Sequence, residues 1–238
     1  MSVAAQRLTR ERKAREAVVL ETARKLFREK GVVGTTMDEI AEASEFSKPT
    51  IYAYFHSKND IVCTLLARRL EHLNEQLEAL DLPKEPKERL AAIGNAVTLY
   101  MADVDYAADL SFPIEADFRL ADLTEAVREG LSTQLARAFA RVEELIADGE
   151  RAGVFIKGWD AKRLGVFAWG MLVGIAALTK RFHPDILADS SATVYADVLR
   201  IVSRGLTDPD RAPGAGTVEK VDPAAGAMSR TRKTETTS

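Results

Sequence analysis

The chain has little of what most catalytic centres are built from. Its 238 residues include one cysteine and three histidines. A single thiol, Cys63, forbids an internal disulfide and is expected to be buried and inert in a reducing compartment. His56, His72 and His183 share no ligand spacing such as HExxH, and no glycine-rich phosphate loop occurs. Neither a metal, a cofactor nor a converging nucleophile and base is therefore expected, and the chain reads as no enzyme. No basic-then-apolar leader opens it, which makes a cytoplasmic protein the expectation. The charge-free run Leu164–Leu178 has 15 residues, short of the roughly 20 that span a membrane. Bracketed by Lys162, Arg163, Lys180 and Arg181, it is expected to be buried on both sides within protein. Alternating strand patterns are also absent, so the expected class is all-α.

What is present is helix, and an uneven charge. The net charge is −3, yet residues 1–60 hold 11 Lys and Arg against 9 Asp and Glu, and the remainder 22 against 27. Five of the eleven cations (Arg7, Arg10, Arg12, Lys13, Arg15) crowd residues 1–15. A basic arm, residues 1–14, on an acidic chain suggests a phosphate contact or a solvated terminus. From about Arg10 to Lys30 the stripe Val19, Ala23, Leu26, Phe27 marks a helix, and Gly31 sits where a left-handed residue would stop it. Thr36-Met-Asp-Glu39 reads as a capping box opening a short helix, Met37 to Ala43. Ser47 can cap the next helix, with Pro49 in its first turn.

The segment SEFSKPTIYAYFHSKND, residues 44–60, does not place its aromatics on one face. At about 100° per residue, Ile51 and Phe55 point inward, whereas Pro49, Thr50 and Ala53 form a slim opposite ridge. Tyr52 and Tyr54 flank that ridge, and Lys48 and Lys58 bracket it. A slim ridge edged by phenols and cations fits a DNA major groove, its first turn near base edges and its tyrosines and lysines on the phosphate walls. A helical protein-binding adaptor is the rival reading, and the basic arm and tyrosine-edged helix argue against it.

Residues 18–61 as a whole, VVLETARKLFREKGVVGTTMDEIAEASEFSKPTIYAYFHSKNDI, resemble the DNA-binding region of TetR-family (TetR/AcrR type) transcriptional regulators. The resemblance is carried by Ala23 and Phe27 before Gly31, the Thr35-Thr36 cap, Ile40-Ala41, Ser47-Lys48-x-Thr50-Ile51-Tyr52-x-Tyr54-Phe55, and Ser57-Lys58. One departure stands out, because Glu45 occupies the turn where the family commonly has glycine. The resemblance implies an N-terminal three-helix helix-turn-helix DNA-binding domain, residues 15–60 with the motif at about 37–56. It also implies a C-terminal helical-bundle effector-binding and dimerisation domain, residues 61–206. Lys48, Pro49 and Thr50 would approach bases, Ser47 capping their helix, while Thr36, Tyr52, Tyr54, His56 and Lys58 would hold phosphates.

Within the second domain, Leu66, Leu70, Leu73 and Leu77 mark a long helix, the chain breaks at Leu82–Pro86, and residues 102–122 are expected to be irregular or made of short helices. A long helix follows from Leu123 to Ala152, then one opened by Trp159-Asp160, then a last one to about Gly205. By the resemblance, the last two pair with those of a second copy, through Gly170, Gly174, Ala177, Val194, Val198 and Ile201. The homodimer would bind a pseudo-palindromic double-stranded operator. It would act as a repressor, released by a lipophilic small molecule held among Tyr100, Met101, Phe112, Phe118, Phe139, Phe167, Trp169 and Met171. Residues 207–238, rich in Pro, Gly, Ala, Ser and Thr, are expected to form a disordered tail.

Overall fold

The computed structural model describes residues 3–102, 104–116, 119–182 and 191–207, and no strand occurs among them. Among the described residues nine α-helices follow in order: α1 (Val3–Lys30), α2 (Met37–Ala43), α3 (Lys48–Tyr52), α4 (Lys58–Glu78), α5 (Pro86–Ala102), α6 (Val104–Glu115), α7 (Glu125–Arg151), α8 (Ala161–Phe182) and α9 (Ser191–Thr207). A 3-10 turn, Leu120–Asp122, separates α6 from α7. Phe118, His183 and residues 208–238 of the expected tail lie outside the described residues.

Local chemistry explains the boundaries near the N-terminus. Gly31 takes a left-handed φ of 78° and its N–H donates to the Phe27 carbonyl at 3.0 Å, which ends α1. The Thr36 hydroxyl accepts from the Glu39 N–H, and the Glu39 carboxylate accepts in return from the Thr36 N–H, a complete capping box. Ser47 caps α3 and Ser57 caps α4 in the same manner.

Two cores sit along α4, because its apolar residues lie on more than one face. Ile61, Val62 and Leu65 join Val19, Leu20, Ala23 and Phe27 of α1, Ile40 and Ala41 of α2, and Ile51 and Phe55 in the first core. Leu66, Leu70, Leu73 and Leu77 join Tyr100, Met101, Leu131, Ala176 and Tyr195 in the second. Cys63 is fully buried, and desolvation, aided by the nearby Asp60 charge, pushes its thiol up to about 12. A third cluster, Leu145, Ile146, Phe155 and Leu206, closes the far end. There the Phe155 ring lies where any Cβ on Gly149 would sit, so only glycine fits that turn of α7.

Two expectations need correction. The arm at residues 1–14 is not separate from the first helix: from Val3 it is the leading part of α1, and residues 6–15 are exposed. The expectation for residues 102–122 is met in its second form, by the short helix α6, which keeps Pro113 in its last turn, and the 3-10 turn after it. The apolar run in α8 is not buried on both sides within one chain. Ala176, Trp169, Leu172 and Ile175 turn to the second core, whereas Val166, Phe167 and Leu178 are each more than half exposed. By length and composition the window Ala161–Leu178 could also cross a membrane, but its inner face packs as a bundle helix does, Gly165 fitting against the Phe139 ring.

Candidate nucleic-acid interface

The turn between α2 and α3 sets the angle of the whole site. The Phe46 N–H donates to the Ala41 carbonyl and the Glu45 N–H to the Glu42 carbonyl, both at 3.1 Å, the paired bonds of a Schellman motif. Such a motif needs a left-handed residue, and Glu45 supplies it at φ 59°. A side chain in this region costs about 1–2 kcal/mol, so the rest of the unit must outweigh the strain. It does so by burying Ile40, Ala41, Ile51 and Phe55 on either side of the turn.

Held in this way, α3 presents its outer side to solvent. Lys48, Pro49, Tyr52 and Ala53 are exposed, and Thr50 is half-buried. The Lys48 ammonium meets the Asp38 carboxylate at 2.6 Å, both side chains well exposed, so the pair joins α2 to α3 weakly. The Thr50 hydroxyl lies 2.8 Å from that of Ser47 within the α3 cap. Thr36 is exposed at the head of α2, its hydroxyl engaged with Glu39. Tyr52 stands free at 45 % exposure, whereas Tyr54 packs partly on the first core with the Arg12 guanidinium over its ring, 5.8 Å from the centroid. His56 is exposed, and its backbone N–H donates to Asp60 Oδ2 at 3.0 Å. Thr36, Ser47, Lys48, Pro49, Thr50, Tyr52, Tyr54 and His56 thus lie in or beside one helix-turn-helix unit.

Lys58 is placed differently from a cation waiting for a phosphate. Its Nζ donates to the carbonyls of Val32 at 2.5 Å and Thr35 at 2.6 Å and reaches that of Val33 at 3.5 Å. Burial lowers its pKa. It clasps the loop that follows α1, whose carbonyls have no helical partners. Beside it, the Lys30 ammonium holds Glu39 at 2.6 Å and, with the Thr36 bonds, brings that carboxyl down to about 2.

The residues that a single-sequence reading passes over are those by which the rest of the chain grips this unit. Asp60, 1 % exposed, accepts from the N–H of Thr124, at the start of α7, as well as from His56. Its position in the first turn of α4 was the only signal in the sequence. Phe112 of α6 belongs to the first core, edge-on to Phe27 with centroids 5.4 Å apart. This corrects its expected place in an effector pocket. Glu115 of the same helix accepts from the Val32 N–H at 3.0 Å. Asp109, its carboxylate fully buried, receives Arg28 of α1 at 2.9 Å and Arg69 of α4 at 2.5 Å, with Arg24 at 3.6 Å. A carboxylate inside the apolar run of α6 was the signal for that cluster.

The other candidate liners divide. Tyr100, Met101 and Trp169 share the second core, the Tyr100 hydroxyl donating to the Arg69 carbonyl at 2.8 Å. Phe139 and Met171 are half-buried, and Phe167 is exposed, on the outer side of α8. Gly170 and Gly174 meet nothing on that side, where Ala177 also lies, and on α9 Val194, Val198 and Ile201 share a stripe with Ile201 exposed. Among the described residues, no cluster of three His, Cys, Asp or Glu is placed to hold a metal.

Comparison with known proteins bears on the same residues. Residues 19–63 match the family model described as bacterial regulatory proteins, tetR family. The uncharacterized HTH-type transcriptional regulator YfiR of Bacillus subtilis is 28 % identical over 151 residues, 63 % of this chain and 72 % of that protein. A bacterial regulatory protein in the tetR family from Rhodococcus RHA1 superposes with a TM-score of 0.60 at 18 % identity, over 81 % of this chain and 96 % of its own. AibR, solved with isovaleryl coenzyme A and operator DNA, superposes with a TM-score of 0.54 at 18 % identity, over 79 % and 97 %.

Proposed function

The chain is a transcriptional regulator of the tetR family, and on that premise we propose that it is a ligand-responsive repressor, binding a pseudo-palindromic operator as a homodimer. The observation that carries the reading is the exposed first turn of α3, with Lys48, Pro49 and Thr50 outward on a turn held open by the left-handed Glu45. That turn reads bases, while Tyr52, His56 and the head of α2 at Thr36 meet phosphates.

The second copy docks on the open stripe of α8 and α9. Val166, Phe167, Gly170, Gly174 and Leu178 form a face that one chain leaves uncovered, and its small residues let a helix approach closely. Two α3 helices then stand about 34 Å apart, one turn of duplex. The effector is a lipophilic small molecule bound near Tyr100, Met101 and Trp169. The apolar side chains packed around them support that class. Because α6 contributes Phe112, Asp109 and Glu115 to the DNA-binding unit, a ligand that moves α6 moves the heads and lowers operator affinity.

Selection from a pool of random duplexes with the full chain tests the reading. Enrichment of an inverted repeat, with half-sites about one helical turn apart, is the expected result. Sedimentation of a monomer at micromolar concentration, or a pool that stays random, would overturn it.

A further inference from the structure

The family model matches residues 19–63, so the leading four turns of α1 lie outside it and carry their own question. Burial on α1 begins at Val19 and Leu20, apart from half-buried Ala5 and Glu16. Residues 3–18 therefore project as a helix about 24 Å long, with five cations against the two carboxylates Glu11 and Glu16. So long an exposed helix is marginal by itself in water. Three contacts hold it: Arg7 to Glu11 at 2.8 Å, Arg68 of α4 to Glu16 at 2.7 Å, and Arg12 over Tyr54.

The cations are not spread evenly around it. Arg12 and Arg15 line a groove of about 460 Å³ with Leu8, Thr9, Glu11 and Tyr54. A second groove of about 480 Å³ shares Arg12 and Tyr54 with the first and is lined further by Pro49, Thr50 and Ala53. Arg10 and Lys13 line neither groove, and at about 100° per residue they fall on the opposite side of the helix. Among the described residues neither Arg12 nor Arg15 has a carboxylate within ion-pairing distance, unlike Arg7, Arg24 and Arg28. Two unneutralised guanidinium groups thus edge a trough that continues onto the base-reading ridge.

From this juxtaposition we infer that the projecting part of α1 is a second DNA-contacting element. Arg12 and Arg15 grip the sugar–phosphate backbone bordering the major groove that α3 enters. Tyr54 is the stand that aims Arg12: the ring orients the guanidinium plane and leaves its N–H donors free along the trough. The contact adds affinity without sequence information, since phosphates are alike at every step. The inference rests on the operator-binding reading above and extends it to residues that a helix-turn-helix alone does not use.

The test is an anisotropy titration of full-length protein against the duplex enriched by selection, at several salt concentrations. The double variant Arg12→Gln with Arg15→Gln is expected to lower the slope of log K against log salt by about 1.8, two phosphates at about 0.9 each. Its preference for the selected duplex over a scrambled one stays as in the wild type. Arg12→Lys with Arg15→Lys restores most of the slope, and Arg10→Gln with Lys13→Gln, on the far side, leaves it alone. All four side chains are exposed, so the Arg10 and Lys13 variant should keep the wild-type thermal midpoint. The Arg12 and Arg15 variant, which gives up only the exposed contact with Tyr54, should lower it by no more than that contact's worth, roughly 1–4 °C; a small shift of this kind excludes misfolding as the cause. A Gln variant with the wild-type slope overturns this inference and spares the regulator reading. A wild type that binds every duplex weakly and equally overturns both.

Discussion

Replacing Lys58 by methionine separates two roles that the side chain's position permits. In the free protein its ammonium donates two short bonds, to Val32 and Thr35, and lies near a third carbonyl. Hydrogen bonds to a charged group contribute about 1.5–3 kcal/mol each. Burial lowers the pKa of the ammonium, so desolvation offsets part of that gain, and the Val32 carbonyl keeps a second partner in the Thr35 N–H. We expect a net loss of about 2 kcal/mol, which for a protein of this size lowers the thermal midpoint by roughly 4–8 °C. The methionine retains the apolar stem, so the loss reports the head group. In DNA titrations the variant should bind operator more weakly, because the loop that carries Thr36 and the start of α2 loosens. The salt slope should nevertheless equal that of the wild type. A variant as stable as wild type, with a slope smaller by about 0.9, would refute the clasp and make Lys58 a phosphate ligand.

Three further outcomes are expected. Glu45→Gly relieves the left-handed side chain but adds freedom to the unfolded chain, for a net gain of about 0.5–1 kcal/mol in thermal or urea unfolding; a loss would show that the Glu45 side chain makes a compensating contact. Asp109→Ala removes the buried carboxylate on which Arg24, Arg28 and Arg69 converge. It should destabilise by about 3–5 kcal/mol, and a urea midpoint near that of wild type would deny the cluster its role. The Lys30 ammonium and the Thr36 bonds bring the folded Glu39 carboxyl from the ordinary 4.5 to about 2, so its stabilising contribution is whole above about 4.5 and disappears as pH falls through 2. Glu39→Gln should therefore flatten the pH dependence of the thermal midpoint in that window, and parallel profiles would contradict the assignment.

How far the site was legible follows from the range of each interaction. Thr36 with Glu39, Ser47 with Pro49, and Gly31 are local devices spanning three or four residues, and their spacing can be read directly from the chain. Ile51 and Phe55 against Pro49, Thr50 and Ala53 follow from the pitch of a helix. Glu45 stood out only by the family resemblance, as the residue in a turn where glycine is common, and the structure shows that turn to be a Schellman motif closing within six residues.

Lys58 with Val32, Arg12 with Tyr54, Phe112 with Phe27 and Asp109 with its arginines join residues 26 to 85 positions apart. No periodicity encodes such pairs. The helix class, the slim outer ridge of α3 and the capped turns were thus determined by the sequence alone, because backbone hydrogen bonding and helical pitch act within a few residues. Which cation is a clasp and which faces open solvent, and that α6 belongs partly to the DNA-binding core, only the tertiary structure decided. The reason is that packing and desolvation depend on whichever surfaces the folded chain brings into contact.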